Sequence, residues 1–216
     1  MTTSKINFIH IPKNAGTSFR ELCKSYPNLF VYNYHNVDVF DENIQNQLII
    51  LQNPVARFKS AVRFCFLPPW SKEPQIKYLN SINLNTPEKW VNILKNSRHS
   101  QYKNIMKEIL NRTDTNIHYI GDKKLLYKYT YTPQIYYVNK PKYVILMENL
   151  ESEVALLIKK LGINYNLKKI NITLKNADND YLSEENIRWV ENEFYKEDYD
   201  LYNGFKDMPV EVRLDL

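Results

Sequence analysis

Residues 12–18 put Pro12, Lys13, Asn14, Ala15, Gly16, Thr17 and Ser18 in one uninterrupted run. Those types at that spacing suit the capture of an anion. Lys13 brings a full positive charge, Thr17 and Ser18 bring hydroxyl donors, and Gly16 lets the backbone approach a bound group closely. The 216 residues contain only 4 glycines, so one placed here carries more weight than usual. The run is not a Walker A loop, which needs Gly-x-x-x-x-Gly-Lys-Ser/Thr; here the lysine precedes the glycine. A second polar group follows as Gln52, Asn53, Arg57 and Ser60, with Lys59 and Arg63 close by in sequence. His35 is the candidate proton acceptor, because imidazole titrates near neutrality; Asp38 and Asp41 stand behind it. The other histidines (His10, His99, His118) and the cysteines (Cys23, Cys65) match no metal-ligand spacing and no disulfide framework, so no metal is expected.

The elements that must position these residues are legible from periodicity. Ile6, Phe8, Ile9 and Ile11 form an apolar run that Pro12 stops, as in a buried strand. Thr17 or Ser18 is expected to cap the next helix, which carries Phe19 and Leu22 on one face. A tight strand–loop–helix turn aims backbone N–H groups and the positive end of a helix dipole at one point. Residues 29–34 read as a second strand, and Leu48 to Leu51 as a strand buried on both faces. Asn53-Pro54 opens a helix bearing Val55, Phe58, Val62 and Cys65, which Pro68-Pro69 ends. Residues 70–132 read as mostly helical, with a start at Thr86-Pro87-Glu88 and a further apolar stripe at Ile105, Ile109 and Leu110. Tyr143 to Met147 is a strand, and Asn149 is expected to cap a helix that Gly162 ends. Ile170 to Leu174 reads as a short strand or extended loop. Ser183 opens a helix running through Ile187, Val190 and Phe194.

Alternating strands and helices predict an α/β fold, P-loop-like and three-layered, with an open, mainly parallel sheet flanked by helices. Ligands of such sheets sit at the carboxyl ends of the strands, where residues 12–18 fall. A length of 216 residues fits a single domain, with a helical insertion over about 68–132 on the acceptor side. A net charge of +5 suits an anionic ligand but is too small to imply nucleic acid. With no signal-like leader and no apolar run near the roughly 18 residues of a membrane span, a cytoplasmic location is expected.

Two motifs carry a family resemblance. His10-Ile11-Pro12-Lys13-Asn14-Ala15-Gly16-Thr17-Ser18 and Leu51-Gln52-Asn53-Pro54-Val55-Ala56-Arg57-Phe58-Lys59-Ser60 closely resemble sulfotransferases that use 3′-phosphoadenosine 5′-phosphosulfate (PAPS). The nearest likeness is to the carbohydrate and heparan 2-O-sulfotransferase group. Weaker likenesses follow in the family's order: Thr132 to Tyr137, Tyr143 to Leu150, and the Tyr/Asp-rich stretch from Tyr181 to Phe205. The resemblance implies that Pro12 to Ser18 hold the 5′-phosphosulfate, and that Gln52, Arg57 and Ser60 face the 3′-phosphate. It implies Lys13 at the leaving oxygen, His35 as general base, PAPS as co-substrate, PAP (3′,5′-ADP) as product and a hydroxyl acceptor, a glycan first. One departure stands out. The family's Arg-Asp is Gln52-Asn53 here, so a charge-assisted phosphate contact becomes at best a neutral one; Lys59 and Arg63 are candidates to replace the charge. The alternatives are a nucleotide-binding module without turnover, which Gln52 motivates, and an NTP-dependent P-loop kinase, which the lysine position disfavours. His10, within the first strand, reads as structural, and Glu148 as a support for the loops or for the Asn149 cap.

Overall fold

The apolar runs become the strands of one parallel sheet. The computed structural model describes residues 5–34, 39–64, 77, 80, 84–100, 102, 119–120, 123–124, 132–165 and 180–216. In chain order the elements are β1 (Ile6–Ile9), α1 (Gly16–Ser25), β2 (Phe30–Asn33), β3 (Gln47–Leu51), α2 (Pro54–Phe64), α3 (Pro87–Leu94), and the two-residue strands β4 (Tyr119–Ile120) and β5 (Lys123–Lys124). A 3-10 turn (Gln134–Tyr137) precedes β6 (Tyr143–Leu146); a second (Met147–Asn149) leads into α4 (Leu150–Lys160). Then come α5 (Glu184–Trp189), a π-helical turn (Val190–Phe194), α6 (Lys196–Lys206) and α7 (Val210–Arg213).

The chain forms two compact units, the first made of residues 1–53, 133–172 and 197–216, the second of 54–132 and 173–196. The first holds the parallel sheet, ordered β2-β1-β3-β6. Phe8 stands opposite Tyr32 on one side and Leu48 on the other; Ile49 stands opposite Val144. Every residue of β3 and of β6 is buried, as expected of strands covered on both faces. Phe8, Leu48, Ile50 and Ile145 pack under Phe19 and Leu22 of α1 and Val154 and Leu157 of α4. Ile9, Ile49, Leu51 and Val144 face the other way, onto Tyr137 and onto Leu201, Tyr202 and Phe205 of α6. This is the α/β, three-layer arrangement with an open parallel sheet flanked by helices that the alternation of elements predicts.

The C-terminal segment is locked to the sheet by charge. Arg213 of α7 meets Glu153 of α4 in two parallel bonds of 2.7 Å, with both side chains buried. Burial raises the Glu153 carboxyl, but Arg213, the Leu146 N–H and the Asn149 amide outweigh it and hold the group below the usual carboxylate range. Asn149 stands at the N-cap of α4 but, contrary to expectation, makes no side-chain capping bond; its Nδ2 donates to Glu153 Oε1 at 3.1 Å. Gly162 ends the helix with φ +65 and donates to the Lys159 carbonyl, as its position predicts.

The second unit has its own core. Val55, Phe58 and Val62 of α2 pack with Trp90, Val91 and Leu94 of α3 and with Val190 and Tyr195. The helical segment expected over about 68–132 therefore belongs to a larger body that begins at Pro54 and also takes in residues 173–196. Thr86 caps α3 by accepting from Lys89 N at 3.3 Å, and Ser183 caps α5 by accepting from Asn186 N at 3.4 Å. The helix opened by Ser183 reaches Phe194, but it widens after Trp189 into the π turn, which Tyr195 N closes onto Val190 O at 2.8 Å. Ile105, Ile109, Leu110, Cys65 and the stretch from Ile170 to Leu174 lie outside the described residues. Among the described residues no helix is long and apolar enough to cross a membrane.

Candidate anion-binding site

The order β2-β1-β3-β6 reverses direction between β1 and β3, so the crevice at their carboxyl ends is the switch point where open α/β sheets bind ligands. Residues 12–15 leave β1 at that crevice, and Gln52 and Asn53 leave β3 there. The first loop turns sharply without using its glycine. Lys13 (φ 72) and Ala15 (φ 52) both occupy the left-handed region, which costs a residue with a Cβ about 1–2 kcal/mol. Because Ala15 reverses the chain, α1 begins at Gly16, and Thr17 and Ser18 lie inside its first turn rather than capping it. The N-cap residue Ala15 makes no side-chain capping bond, and no acidic residue stands in the first turn. The positive end of the helix dipole thus meets no acidic side chain of its own first turn. Pro12 and Ser18 are buried, Lys13 is half-buried and Thr17 is exposed.

Gly16 is required for a reason that the sequence did not show. A Cβ built there would lie 1.7 Å from Nε2 of His10. The imidazole, at the end of β1, occupies the volume a side chain would need; its Nδ1 hydrogen-bonds the Tyr32 hydroxyl, and its ring stacks 6.3 Å from Phe8. Burial raises the Tyr32 phenol well above its ordinary value. His10 is thus structural, as its place in the first strand suggests, and it sets the residue type at position 16.

Asn14, between the two left-handed residues, is fully buried. Its Nδ2 donates to Ile50 O and to Gln134 Oε1, both at 2.6 Å, which anchors the loop to β3 and to the first 3-10 turn. Using both protons this way leaves Asn14 Oδ1 buried with no donor among the described residues. Gln134 Oε1 also accepts from Gln52 N at 3.0 Å, and its Nε2 donates to Gln52 O at 2.8 Å. The Asp198 carboxylate in turn takes the N–H groups of Gln134 (2.7 Å) and Ile135 (2.9 Å). One buried glutamine therefore joins the loop after β1 to the loop after β3.

Gln52 is partly buried, and its side-chain oxygen meets no donor among the described residues. The N–H of Asn53 donates to Glu148 Oε1 at 2.8 Å, and the Tyr202 hydroxyl bonds the same carboxylate. Glu148 thus supports the second loop, as read from sequence. Arg57 and Ser60 lie on α2 in the second unit. The Arg57 guanidinium is buried and its Nη2 donates to Thr132 O at 2.8 Å. Arg63, one candidate to replace the charge missing at Gln52, pairs with Asp180 at 2.5 Å. His35 and Asp38 lie outside the described residues. Asp41 accepts from Asn43 N at 2.9 Å within its own turn. Among the described residues no three acidic, histidine or cysteine side chains gather as a metal group. Cys23, buried in α1, has its thiol pushed up to about 12 by burial and is held as an unreactive core residue.

Of the residues expected at the site, the structure links Asn14 of the first loop to the main chain of Gln52 through one shared partner, Gln134. Gln134 and Asp198 were given no role from sequence, although each lies in a stretch of weaker likeness, Thr132 to Tyr137 and Tyr181 to Phe205. Comparison of the chain with protein-family models, with curated proteins and with solved structures returned no match.

Proposed function

We propose that the protein is a PAPS-dependent sulfotransferase that moves a sulfuryl group to a hydroxyl, with a glycan as the first acceptor class to try. The observation that carries this reading is the loop of residues 12–16, a lysine-bearing turn fixed between a parallel strand and the N-terminus of α1 at the switch point. Its sequence is the one that resembles the family's phosphosulfate loop. In the proposed step the acceptor oxygen attacks sulfur as the bond from sulfur to the leaving phosphate oxygen breaks, and the acceptor proton passes to a base. Lys13 neutralises the charge growing on that phosphate oxygen, and the first-turn N–H groups of α1 hold the non-transferred oxygens. His35 is the proposed base; Gln52 keeps the 3′-phosphate role that the resemblance implies. Positioning and electrostatics supply most of the acceleration, as in phosphoryl transfer.

Transfer of labelled sulfate from PAPS to a panel of glycans tests the proposal. Lys13→Ala is expected to lower the rate by roughly two to three orders of magnitude, as loss of one preorganised charge contact does. No transfer to any acceptor, or transfer indifferent to Lys13→Ala, sinks it. A second reading, a nucleotide-binding module without turnover, is favoured by Gln52, which lacks the charge of the family's Arg and whose side-chain oxygen meets no donor among the described residues. Tight calorimetric binding of 3′,5′-ADP with no transfer selects it.

A further inference from the structure

The loop after β1 holds two residues in backbone conformations that their side chains oppose, and between them Asn14 Oδ1 meets no donor among the described residues. Such a loop keeps its shape only if its surroundings over-determine it. Two acceptors hold Asn14 Nδ2 at the centre of the loop, a β3 carbonyl and the side chain of Gln134. The carbonyl is common to any strand. Gln134 is specific: it is fully buried, spends its amide on both loops, and is fixed from behind by Asp198.

We propose that Gln134 is the positioning residue of the anion loop, bridging Asn14 to the main chain of Gln52 and so holding Lys13 and Ala15 in the left-handed conformations that shape the site. Its effect on nucleotide affinity rests on the phosphosulfate reading given above; its control of the loop does not. Gln134→Leu removes the acceptor for Asn14 and both partners of Gln52. Ala15→Gly then makes one left-handed position free of steric cost, so the double variant should regain the loop without regaining the lost bonds. A residue that only added stability would show no such rescue.

Two measurements separate the claims. Hydrogen–deuterium exchange of the peptide spanning residues 10–22, in ligand-free protein, is expected to quicken in Gln134→Leu and to slow again on adding Ala15→Gly. Calorimetry with 3′,5′-ADP is expected to show affinity weakened roughly tenfold or more in Gln134→Leu, with partial recovery in the double variant. If Gln134→Leu does not fold, Gln134→Glu replaces it. Its second oxygen would face Gln52 O, and affinity should recover as pH falls, because a protonated carboxyl donates where the amide did. Unchanged exchange in residues 10–22, or quickened exchange with unchanged nucleotide affinity, overturns the proposal. Absence of 3′,5′-ADP binding by the wild-type chain, with exchange responding as expected, overturns the phosphosulfate reading and leaves Gln134 in control of the loop.

Discussion

Gly16 and His10 act as one steric unit. The imidazole fills the space of a Cβ at position 16 and is itself held by Tyr32 and Phe8, so it has little freedom to yield. Gly16→Ala is expected to cost about 1–3 kcal/mol, the range for overpacking a filled site. In a His10→Ala background most of that penalty should vanish, and urea midpoints of the four proteins in the cycle check it. Additive penalties would show that the collision is relieved elsewhere. Ala15→Gly alone should be neutral or stabilise by up to about 1 kcal/mol, since relief of the left-handed strain offsets the greater freedom of the unfolded chain. A thermal melt suffices to see its sign.

At the scale of elements, the Glu153–Arg213 pair decides whether α7 stays on the sheet. Removing one partner strands the other charge in a buried place, so Arg213→Met is expected to cost about 3–5 kcal/mol. The folded carboxyl of Glu153 lies below its unfolded value, so its contribution is complete above the ordinary carboxylate range and is lost as pH falls through the folded value. Denaturation followed between about pH 6 and pH 3 should therefore show a shallower loss of stability in Arg213→Met than in the wild type. The strands and most helix ends were legible beforehand, because each is local. Apolar β-branched runs mark β1, β3 and β6, and Thr86, Ser183 and Gly162 act on backbone within a few residues of themselves. The start of α1 was misplaced because no glycine advertises the left-handed turn at Lys13 and Ala15. The stripe on α2 showed that one face is buried but could not say against what; its partners include Trp90 and Leu94. The bond from Asn14 to Gln134 spans 120 residues and joins two amides of no distinctive pattern, so nothing local predicts it.

The whole chain is interleaved, since the first unit is built from three separated stretches and neither unit is one continuous piece. Truncation after Lys196 would remove Leu201, Tyr202 and Phe205 from one face of the sheet, along with Asp198 and Arg213. Such a protein is expected to lose cooperative melting by circular dichroism; a sharp transition near that of the full chain would refute the dependence. The same interleaving gives the anion loop an unusual place in time. During synthesis the loop emerges early, but Gln134 lies 120 residues after Asn14, and the carboxylate that steadies it comes a further 64 residues on. A chain is made at about 5–20 residues per second, so several seconds separate the loop from its support. A nascent chain cannot present the completed loop until the stretch carrying Asp198 has been made.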